Sequence, residues 1–231
     1  QCGSGKISLS PTMTPSFFRK VPRIFLRPIV ALFDWKKKRD MERLYASEGD
    51  HWGRTESMDQ ISFAIGMLDG RTYTHVLDVG TGEGYVAESL VPHARRITAI
   101  DISEQAIASA RARLAHGKTI TFLPANIRTW KTEERFDLVV LADVLYYLGD
   151  TLFPDVFTET VACIASFVSE DGEVLVTHYV APWRGTAIVD ELYTPAFVAA
   201  GLVLAKDEVY RKDGKEWRHL LFKKPARPAS V

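Results

Sequence analysis

The stretch that most constrains the fold is His75-Val76-Leu77-Asp78-Val79-Gly80-Thr81-Gly82-Glu83-Gly84-Tyr85-Val86. Its apolar start predicts a buried parallel strand, and the amphipathic segment behind the glycines predicts a helix. Glycines at positions 80, 82 and 84 allow a sharp turn between the two, because they adopt backbone angles that a Cβ forbids. They also let a ligand lie directly against the backbone at a helix N-terminus, so we interpret the turn as a nucleotide-cofactor loop.

The glycine spacing distinguishes this loop from other nucleotide-binding loops. A dinucleotide loop has the spacing G-x-G-x-x-G and a phosphate P-loop ends in Gly-Lys-Ser/Thr, whereas this chain has G-x-G-x-G followed by Tyr85. Asp78 disfavours a nearby pyrophosphate and suits a cationic amine, such as the ammonium of S-adenosylmethionine. Here the sequence resembles the class I S-adenosylmethionine-dependent methyltransferases, whose first motif is (D/E)-x-G-x-G-x-G. Glycines that serve tight packing alone are the competing interpretation.

The remaining cofactor residues are predicted at the ends of the next strands. Asp101 ends a short strand 23 residues after Asp78, where a carboxylate accepts hydrogen bonds from both ribose hydroxyls. After the third strand, the resemblance implies that Asn126 and Ile127 hold the adenine edge. We place Trp52, together with Tyr45, in a lid over the cofactor. The full predicted cofactor site is Trp52, Asp78, Gly80, Thr81, Gly82, Gly84, Tyr85, Asp101, Ile102, Asn126, Ile127 and Ala142.

A second group of polar side chains is predicted on the acceptor side of the site. An apolar strand from residue 136 ends at Asp143, and Tyr146 and Tyr147 follow. Ligands of doubly wound sheets lie outside the carboxyl ends of the strands, where the strand order reverses. We therefore expect these three residues to orient the acceptor, with His178, near the end of the next strand, as a candidate proton acceptor. Helix packing of the tyrosines and a structural histidine are the alternatives.

The order of elements predicts an α/β fold. Seven strands, with helices between the first five and a hairpin at the end, match the Rossmann-like doubly wound sheet of the class I methyltransferases, order 3-2-1-4-5-7-6. We expect a basic, partly disordered N-terminal arm over residues 1–40, the methyltransferase domain over 41–223 and a flexible tail over 224–231.

Charge is distributed unevenly along the chain. Residues 1–40 contain nine Lys/Arg and two Asp/Glu, a net charge of +7, and the remaining residues carry −7. The acidic body does not suit nucleic acid, so we expect no nucleic-acid partner. Two cysteines cannot build a disulfide framework or a zinc site, so we expect no metal, and a cytoplasmic setting.

Residues 17–39 mix large apolar side chains with cations. They contain no apolar run long enough to cross a membrane. Two interpretations remain: contact with an anionic membrane surface, which would make the protein peripheral to the membrane, or packing against the body or across a dimer interface. We favour packing, because Pro22 and Pro28 are expected to break any long helix.

A closer resemblance lies in Phe136-Asp137-Leu138-Val139-Val140 through Asp143-Val144-Leu145-Tyr146-Tyr147-Leu148-Gly149-Asp150, and upstream in Asp50-His51-Trp52. Both are similar to motifs of the nodulation protein S family, over roughly residues 45–180. The resemblance implies methyl transfer from S-adenosylmethionine to an amino group of a de-N-acetylated chitooligosaccharide. This chain departs from the family in its N-terminal arm and after the fifth strand, where substrate choice is set. Amino sugars, other small amines and hydroxyls therefore stay open as acceptors.

These observations favour a methyltransferase that acts on a small-molecule or saccharide acceptor, on nitrogen rather than oxygen. Methyl transfer to an amine needs no base at the displacement itself, whereas a hydroxyl needs one. Two alternatives are a small-molecule O-methyltransferase and a non-catalytic module that binds S-adenosylmethionine. A nicotinamide oxidoreductase is disfavoured by the glycine spacing.

Overall fold

Seven strands form one sheet in a computed structural model of the chain, which describes residues 23–47, 54–114, 119–181 and 185–226. The strands are β1 (Tyr73–Val79), β2 (Ala94–Asp101), β3 (Ile120–Pro124), β4 (Phe136–Ala142), β5 (Val168–Tyr179), β6 (Val203–Lys212) and β7 (Lys215–Lys223). Their order is β3-β2-β1-β4-β5-β7-β6, and β7 runs in the opposite direction to the other six strands. The predicted fold class and strand order are confirmed.

Six α-helices surround this sheet within the described residues. They are α1 (Arg23–Ala46), α2 (Arg54–Gly66), α3 (Tyr85–Leu90), α4 (Glu104–Arg113), α5 (Pro154–Phe167) and α6 (Thr194–Ala199). A 3₁₀ turn spans Leu145–Leu148, and a π-helical turn at Val189–Tyr193 leads into α6. Ser103 caps α4, because its hydroxyl accepts a hydrogen bond from the Ala106 N–H at 3.1 Å.

The central strands are mostly apolar because helices cover both faces of the sheet. On one face Leu77 and Val139 pack with residues of α5 and α6. On the other face Val76 and Val140 pack with residues of α2, α3 and α4. Burial on both sides leaves the ends of the strands as the places where polar side chains can be brought together.

The expectation that Pro28 breaks a long helix is wrong. α1 is a continuous helix of 24 residues that contains Pro28 and runs across residue 40, where the arm was expected to end. Pro28 lies in the second turn, so only one backbone hydrogen bond near the helix start is lost. Leu26 and Val30 on either side of it are buried and pack with Phe153, which offsets that loss.

α1 lies across the carboxyl edge of the sheet and is tied to three separate parts of it. Glu42 accepts hydrogen bonds from the N–H groups of Glu104 and Gln105 at 2.7 and 3.0 Å, at the start of α4. Asp34 pairs with Arg128 at 3.1 Å in the segment after β3. The ring of Phe33 packs edge-on against Phe153 before α5, with centroids 5.6 Å apart. α1 is thus part of the body along most of its length.

The β6–β7 hairpin places the start of β7 at the same edge of the sheet. β7 runs antiparallel to β5, and Trp217 pairs with Tyr179, the last residue of β5. The hairpin turns at Asp213 and Gly214, both with positive φ. This geometry brings residues from the end of the chain to the carboxyl ends of β1, β4 and β5.

Within the described ranges, we find no helix with the length and apolar character needed to cross a membrane.

Candidate active site

A cavity of about 440 Å³ opens at the carboxyl edge of the sheet, and α1 forms part of its wall. We divide the wall into two sides. The glycine-loop side comprises Gly80, Thr81, Gly82, Tyr85, Asp101, Ile102, Asn126 and Ile127. The tyrosine side comprises Gln60, Asp143, Tyr146, Tyr147, Tyr179 and Trp217, with Ala142 between the two sides. One cavity therefore contains most residues of both predicted groups.

The glycine loop comes close to two other segments. Gly80 and Gly82 have φ of 75° and 55°, in the left-handed region. A Cβ at Gly80 would lie 2.6 Å from Cγ2 of Val144, and one at Gly82 would lie 2.7 Å from the hydroxyl oxygen of Tyr45. Both distances are shorter than non-bonded atoms allow, so space as well as backbone angle favours glycine at position 80, whereas at position 82 the end of the Tyr45 side chain can shift and the backbone angle decides.

Asp78 is a buried carboxylate without a hydrogen-bond partner among the described residues. Both of its oxygens are unpaired, as is the buried hydroxyl of Thr81. Burial raises the pKa of Asp78 to about 7. The nearby Thr81 hydroxyl lowers this pKa, although it does not reach hydrogen-bonding geometry, and the charge of Asp101 raises it. Buried polar groups are normally paired. A bound cationic amine would supply the missing partner.

Asp101 holds the glycine loop against the end of β2 by hydrogen bonds. Its carboxylate oxygens accept hydrogen bonds from the N–H groups of Gly82 and Ser103, both at 2.9 Å. Thr81 N–H also donates to the carbonyl of Ile100 at 3.0 Å. Burial raises the pKa of Asp101, while the N–H groups of Ser103 and Gly82 oppose the rise. Each carboxylate oxygen keeps a further lone pair, so two ribose hydroxyls can still donate to it.

The predicted adenine residues lie beside α1. Asn126 and Ile127 line the cavity, but the amide of Asn126 donates to Oδ2 of Asp34 at 2.9 Å. Its Oδ1 accepts from the Arg128 N–H at 3.0 Å. Tyr85, which follows the glycine loop, is held by a cation–π contact: the Arg113 guanidinium lies 3.8 Å from the centre of the Tyr85 ring.

Asp143 links the ends of β4 and β5. Its Oδ1 accepts from the Tyr179 N–H at 2.6 Å, and its Oδ2 lies 3.4 Å from Nε2 of Gln60. Its φ of 50° is unusual for a residue with a side chain, and such backbone conformations are common at functional sites. Burial raises the pKa of Asp143 to about 6, opposed by the Tyr179 N–H. At neutral pH this carboxylate is largely ionised.

Tyr146 and Tyr147 form an aromatic pair beside Asp143, with ring centroids 4.4 Å apart. Burial raises the pKa of Tyr147 to about 12 and raises the pKa of Tyr146 further. Both hydroxyls therefore stay protonated and donate hydrogen bonds rather than act as bases. Lys37 of α1 lies 5.7 Å from the centre of the Tyr147 ring, and burial lowers its pKa.

Several cavity residues were missed by the sequence analysis as site residues. The rings of Trp217 in β7 and Tyr179 in β5 are in tilted contact, with centroids 5.3 Å apart, and Gln60 comes from α2. The order 5-7-6 was the available signal for Trp217, because it puts the start of β7 at the cavity edge. Gln60 had no such signal. Other unpredicted lining residues are Asp34, Lys37, Met41, Met58 and Lys215.

Other predicted residues do not line the cavity. His178 is buried on the other side of β5, with its ring 5.0 Å from Tyr193 and 6.0 Å from Tyr146. Gly84 packs instead against the ring of Phe122, and a Cβ added at Gly84 would lie 3.1 Å from that ring. Gly84 therefore serves the packing of α3 against β3. Asp78 lies behind the wall in β1 and is also outside the lining.

Tyr45 lines the cavity next to Gly82, where the lid was predicted. Trp52, the other predicted lid residue, lies outside the described residues, as do Asp50 and His51. Among the described residues, no cluster of three or more His, Cys, Asp or Glu side chains could hold a metal ion.

The residues present fit S-adenosylmethionine. Asp78 has an unpaired carboxylate directly behind the loop, Gly80 and Gly82 leave the backbone accessible, and Asp101 keeps lone pairs that can accept from a diol. The tyrosine side offers an ionised carboxylate and aromatic rings on the same cavity. This arrangement can hold a charged nucleoside at one end and orient an acceptor at the other.

Comparisons with known proteins agree with this geometry. Residues 76–166 match a family model described as a methyltransferase domain. Nodulation protein S of Sinorhizobium fredii strain NGR234 is 42% identical over 77 residues, which cover 33% of this chain and 36% of the relative. A ubiquinone biosynthesis O-methyltransferase of Aromatoleum aromaticum strain EbN1 is 30% identical over 102 residues, which cover 43% of this chain and 41% of that protein.

These curated relatives are matched over about a third to two fifths of their own lengths. Among solved structures, the N-methyltransferase NodS from Bradyrhizobium japonicum WM9, in complex with S-adenosyl-L-homocysteine, superposes with a TM-score of 0.66. It is 20% identical, and the match covers 82% of this chain and 98% of that one. The fold is therefore shared. The chain carries a class I S-adenosylmethionine-dependent methyltransferase domain that resembles nodulation protein S.

Proposed function

We propose that this protein transfers the methyl group of S-adenosylmethionine to the amino group of a small-molecule or saccharide acceptor. The observation that carries the proposal is Asp143, an ionised carboxylate that lies with aromatic rings on the wall of the cavity that the glycine loop also lines. A carboxylate beside aromatic faces suits a cationic amine, by charge and by cation–π attraction.

The cofactor residues act by binding and orientation. Asp78 would pair with the ammonium of the cofactor, Asp101 would accept from the ribose hydroxyls, and Ile127 would pack against adenine. When bound, S-adenosylmethionine supplies an activated methyl group on its sulfonium. The glycine loop fixes where that group lies relative to Asp143, and such positioning can lower a barrier by roughly 7–11 kcal/mol.

Asp143 is the residue proposed to handle the acceptor proton. An amine arrives as an ammonium and must lose a proton to expose its lone pair. With a pKa of about 6, Asp143 is ionised at neutral pH, so it can orient the ammonium and accept its hydrogen bond. The hydroxyls of Tyr146 and Tyr147, which hydrogen-bond to each other and stay protonated, would together donate to an oxygen of the acceptor.

Nitrogen is favoured over oxygen because Asp143 attracts a cationic amine, and the described cavity wall offers no histidine to deprotonate an alcohol. No histidine is among the described lining residues, and the tyrosine hydroxyls do not ionise near neutral pH. A carboxylate with a pKa of about 6 is a weak base towards an alcohol. The Tyr179–Trp217 pair, with Gln60 nearby, offers the apolar face and amide edge that a pyranose ring can pack against.

The experiment is transfer of an isotope-labelled methyl group from S-adenosylmethionine to a panel of acceptors. The panel pairs each amino sugar and de-N-acetylated chitooligosaccharide with its N-acetylated form and with an analogue that has a hydroxyl in place of the amine. We expect label only in compounds with a free amine. Label in the hydroxyl analogues would favour the O-methyltransferase alternative. Cofactor binding without label in any acceptor would favour the non-catalytic module.

A further inference from the structure

α1 has two faces with different surroundings. Its inner face contributes Lys37, Met41 and Tyr45 to the cavity wall and buries Leu26 and Val30. Its outer face carries Ile29, Leu32 and Trp35, which are 38%, 63% and 56% exposed. The inner face explains why the helix stays on the body. It does not explain the apolar residues that point away from it.

The exposed apolar residues of α1 form a group that has no equivalent elsewhere in the described chain. The five other exposed large hydrophobic residues, Phe63, Val91, Val198, Val203 and Val209, are spread over four other segments. Scattered residues of that kind are ordinary on a soluble surface. Three on consecutive turns of one helix form a continuous stripe, which typically marks a binding surface.

Cations share this face. At 100° per residue, Lys36, Arg39 and Arg43 fall within the same arc of about 120° as the three apolar residues. All three are exposed, and the Arg39 guanidinium lies 5.4 Å from the centre of the Trp35 ring. We call these six residues, Ile29, Leu32, Trp35, Lys36, Arg39 and Arg43, the outer face of α1.

No exposed residue between positions 26 and 46 is acidic. The carboxylates of α1 are directed elsewhere: Asp34 pairs with Arg128, and Glu42 accepts from the start of α4. Asp40 is half-buried and lies near Lys37. Among the described residues of α1, the cations of the outer face therefore have no fully exposed acid beside them.

We propose that the outer face of α1 docks onto an anionic lipid surface. Large apolar residues, including Trp, interspersed with cations suit the interface of such a bilayer, where apolar rings reach the acyl boundary and cations meet the headgroups. The cations bind lipid headgroups while Leu32 and Trp35 enter the boundary with the acyl chains. The −7 charge of residues 41–231 is repelled by the same surface, so the protein approaches with α1 first.

Two other occupants fit this face less well. A second copy related by two-fold symmetry would bring the same three cations of both chains together without an acid between them. A nucleic acid would pair with the cations but leave Leu32 and Ile29 against a charged backbone. An anionic bilayer satisfies both kinds of side chain.

Docking would place the cavity close to the lipid, because the helix that meets the bilayer also forms the cavity wall through Lys37 and Met41. The inference does not depend on which acceptor is methylated. It concerns the outer face alone, and its residues lie outside the described lining of the cavity.

The test is co-sedimentation of the full chain with vesicles of phosphatidylcholine, with and without phosphatidylglycerol. We expect binding only to the vesicles that contain phosphatidylglycerol, weakened by added salt. Leu32→Asp with Trp35→Asp, and separately Lys36→Glu with Arg39→Glu, should each weaken it about tenfold or more. Val203→Asp, an equally exposed valine on β6, is the matched control and should bind like the unmodified protein.

Two checks make the result decisive. Every variant should keep its affinity for S-adenosylhomocysteine and its melting temperature, which shows that it folds. Binding that the outer-face variants do not weaken, or no binding to phosphatidylglycerol vesicles, would overturn the proposal. A dimer that Leu32→Asp dissociates would instead assign the face to a second copy, and retention on a DNA duplex that Lys36→Glu abolishes would assign it to nucleic acid.

Discussion

The glycine-loop side and the tyrosine side of the cavity differ in how the chain supplies their residues. On the glycine-loop side, a run of seven residues, 78–84, and the end of β2 provide most of the binding groups, and much of the contact involves backbone. On the tyrosine side, α2, the segment after β4, β5 and β7 each provide side chains. Cofactor binding is thus a local property of one turn, whereas acceptor choice depends on the assembled sheet.

This difference predicts that substitutions on the two sides will separate in their effects. Changes on the glycine-loop side should act on cofactor affinity. Changes on the tyrosine side should act on acceptor use and leave the affinity for S-adenosylhomocysteine unchanged.

Gly80→Ala should have the largest effect. Its Cβ would lie 2.6 Å from Val144 and force the loop away from β4. We expect cofactor affinity to fall by about 100-fold or more, since misplacement of about 1 Å has effects of that size. Calorimetry with S-adenosylhomocysteine measures it. Gly70→Ala is the matched control, because Gly70 also has positive φ but nothing lies within 4 Å of an added Cβ. Equal losses of cofactor affinity in the two variants would mean that backbone strain, and not the clash with Val144, causes the effect.

Asp143→Asn should reduce methyl transfer by about 100-fold, the lower range for loss of an acid–base group, and leave cofactor affinity unchanged. Asparagine keeps the size of the side chain but removes the charge that attracts an ammonium. Asp171→Asn is the control, because Asp171 also has positive φ and is exposed away from the cavity. A large change in the dissociation constant of S-adenosylhomocysteine in Asp143→Asn would break the separation of the two sides.

Asp78 should make cofactor binding dependent on pH. Its pKa of about 7 lies above the ordinary value, so the side chain is mostly neutral below that pH and pairs weakly with an ammonium. Affinity for S-adenosylhomocysteine should rise about tenfold from pH ~6 to pH ~8 as the ionised fraction grows. Over the same range the ligand-free protein should lose stability, because ionisation of a buried, unpaired acid favours the unfolded chain.

Calorimetry and thermal unfolding at several pH values measure these two opposite trends. Asp78→Asn should flatten both of them. An unchanged pH dependence in that variant would mean that another group, such as Asp101, controls it.

Trp217→Leu should have the smallest effect. Loss of the aromatic face opposite Tyr179 is expected to raise the acceptor KM by roughly two- to tenfold, with kcat and cofactor affinity unchanged. Trp130→Leu is the control, since Trp130 packs against Phe136 and Phe167 away from the cavity. If kcat falls instead of KM rising, Trp217 positions the reacting groups and does more than bind the acceptor.

The same contrast explains how much of the structure could be predicted from the sequence. The strand order and the cavity positions of Gly80, Gly82, Asp101 and Asp143 follow from local patterns, because parallel strands end at one edge of the sheet. Trp217 and Gln60 reach the cavity only through the hairpin register and the packing of α2. Those depend on contacts between distant parts of the chain.

Two placements differ from what the local patterns favour, and for the same reason. Pro28 predicts a helix break from local geometry, but burial of Leu26 and Val30 against Phe153 keeps α1 continuous. His178 lies at a strand end, as predicted, but alternation along β5 turns its ring towards Tyr193 and away from the cavity. Position at the end of the strand predicts that His178 is near the cavity, but it does not predict to which face of β5 the ring points.

A crystal structure with S-adenosylhomocysteine tests the central claim most directly. The account predicts the amino-acid end of the ligand over residues 80–84 with its ammonium near Asp78. It also predicts that both ribose hydroxyls donate to the Asp101 carboxylate and that the sulfur faces Asp143. Density for the ligand elsewhere, or a sulfur directed away from Asp143, would contradict it.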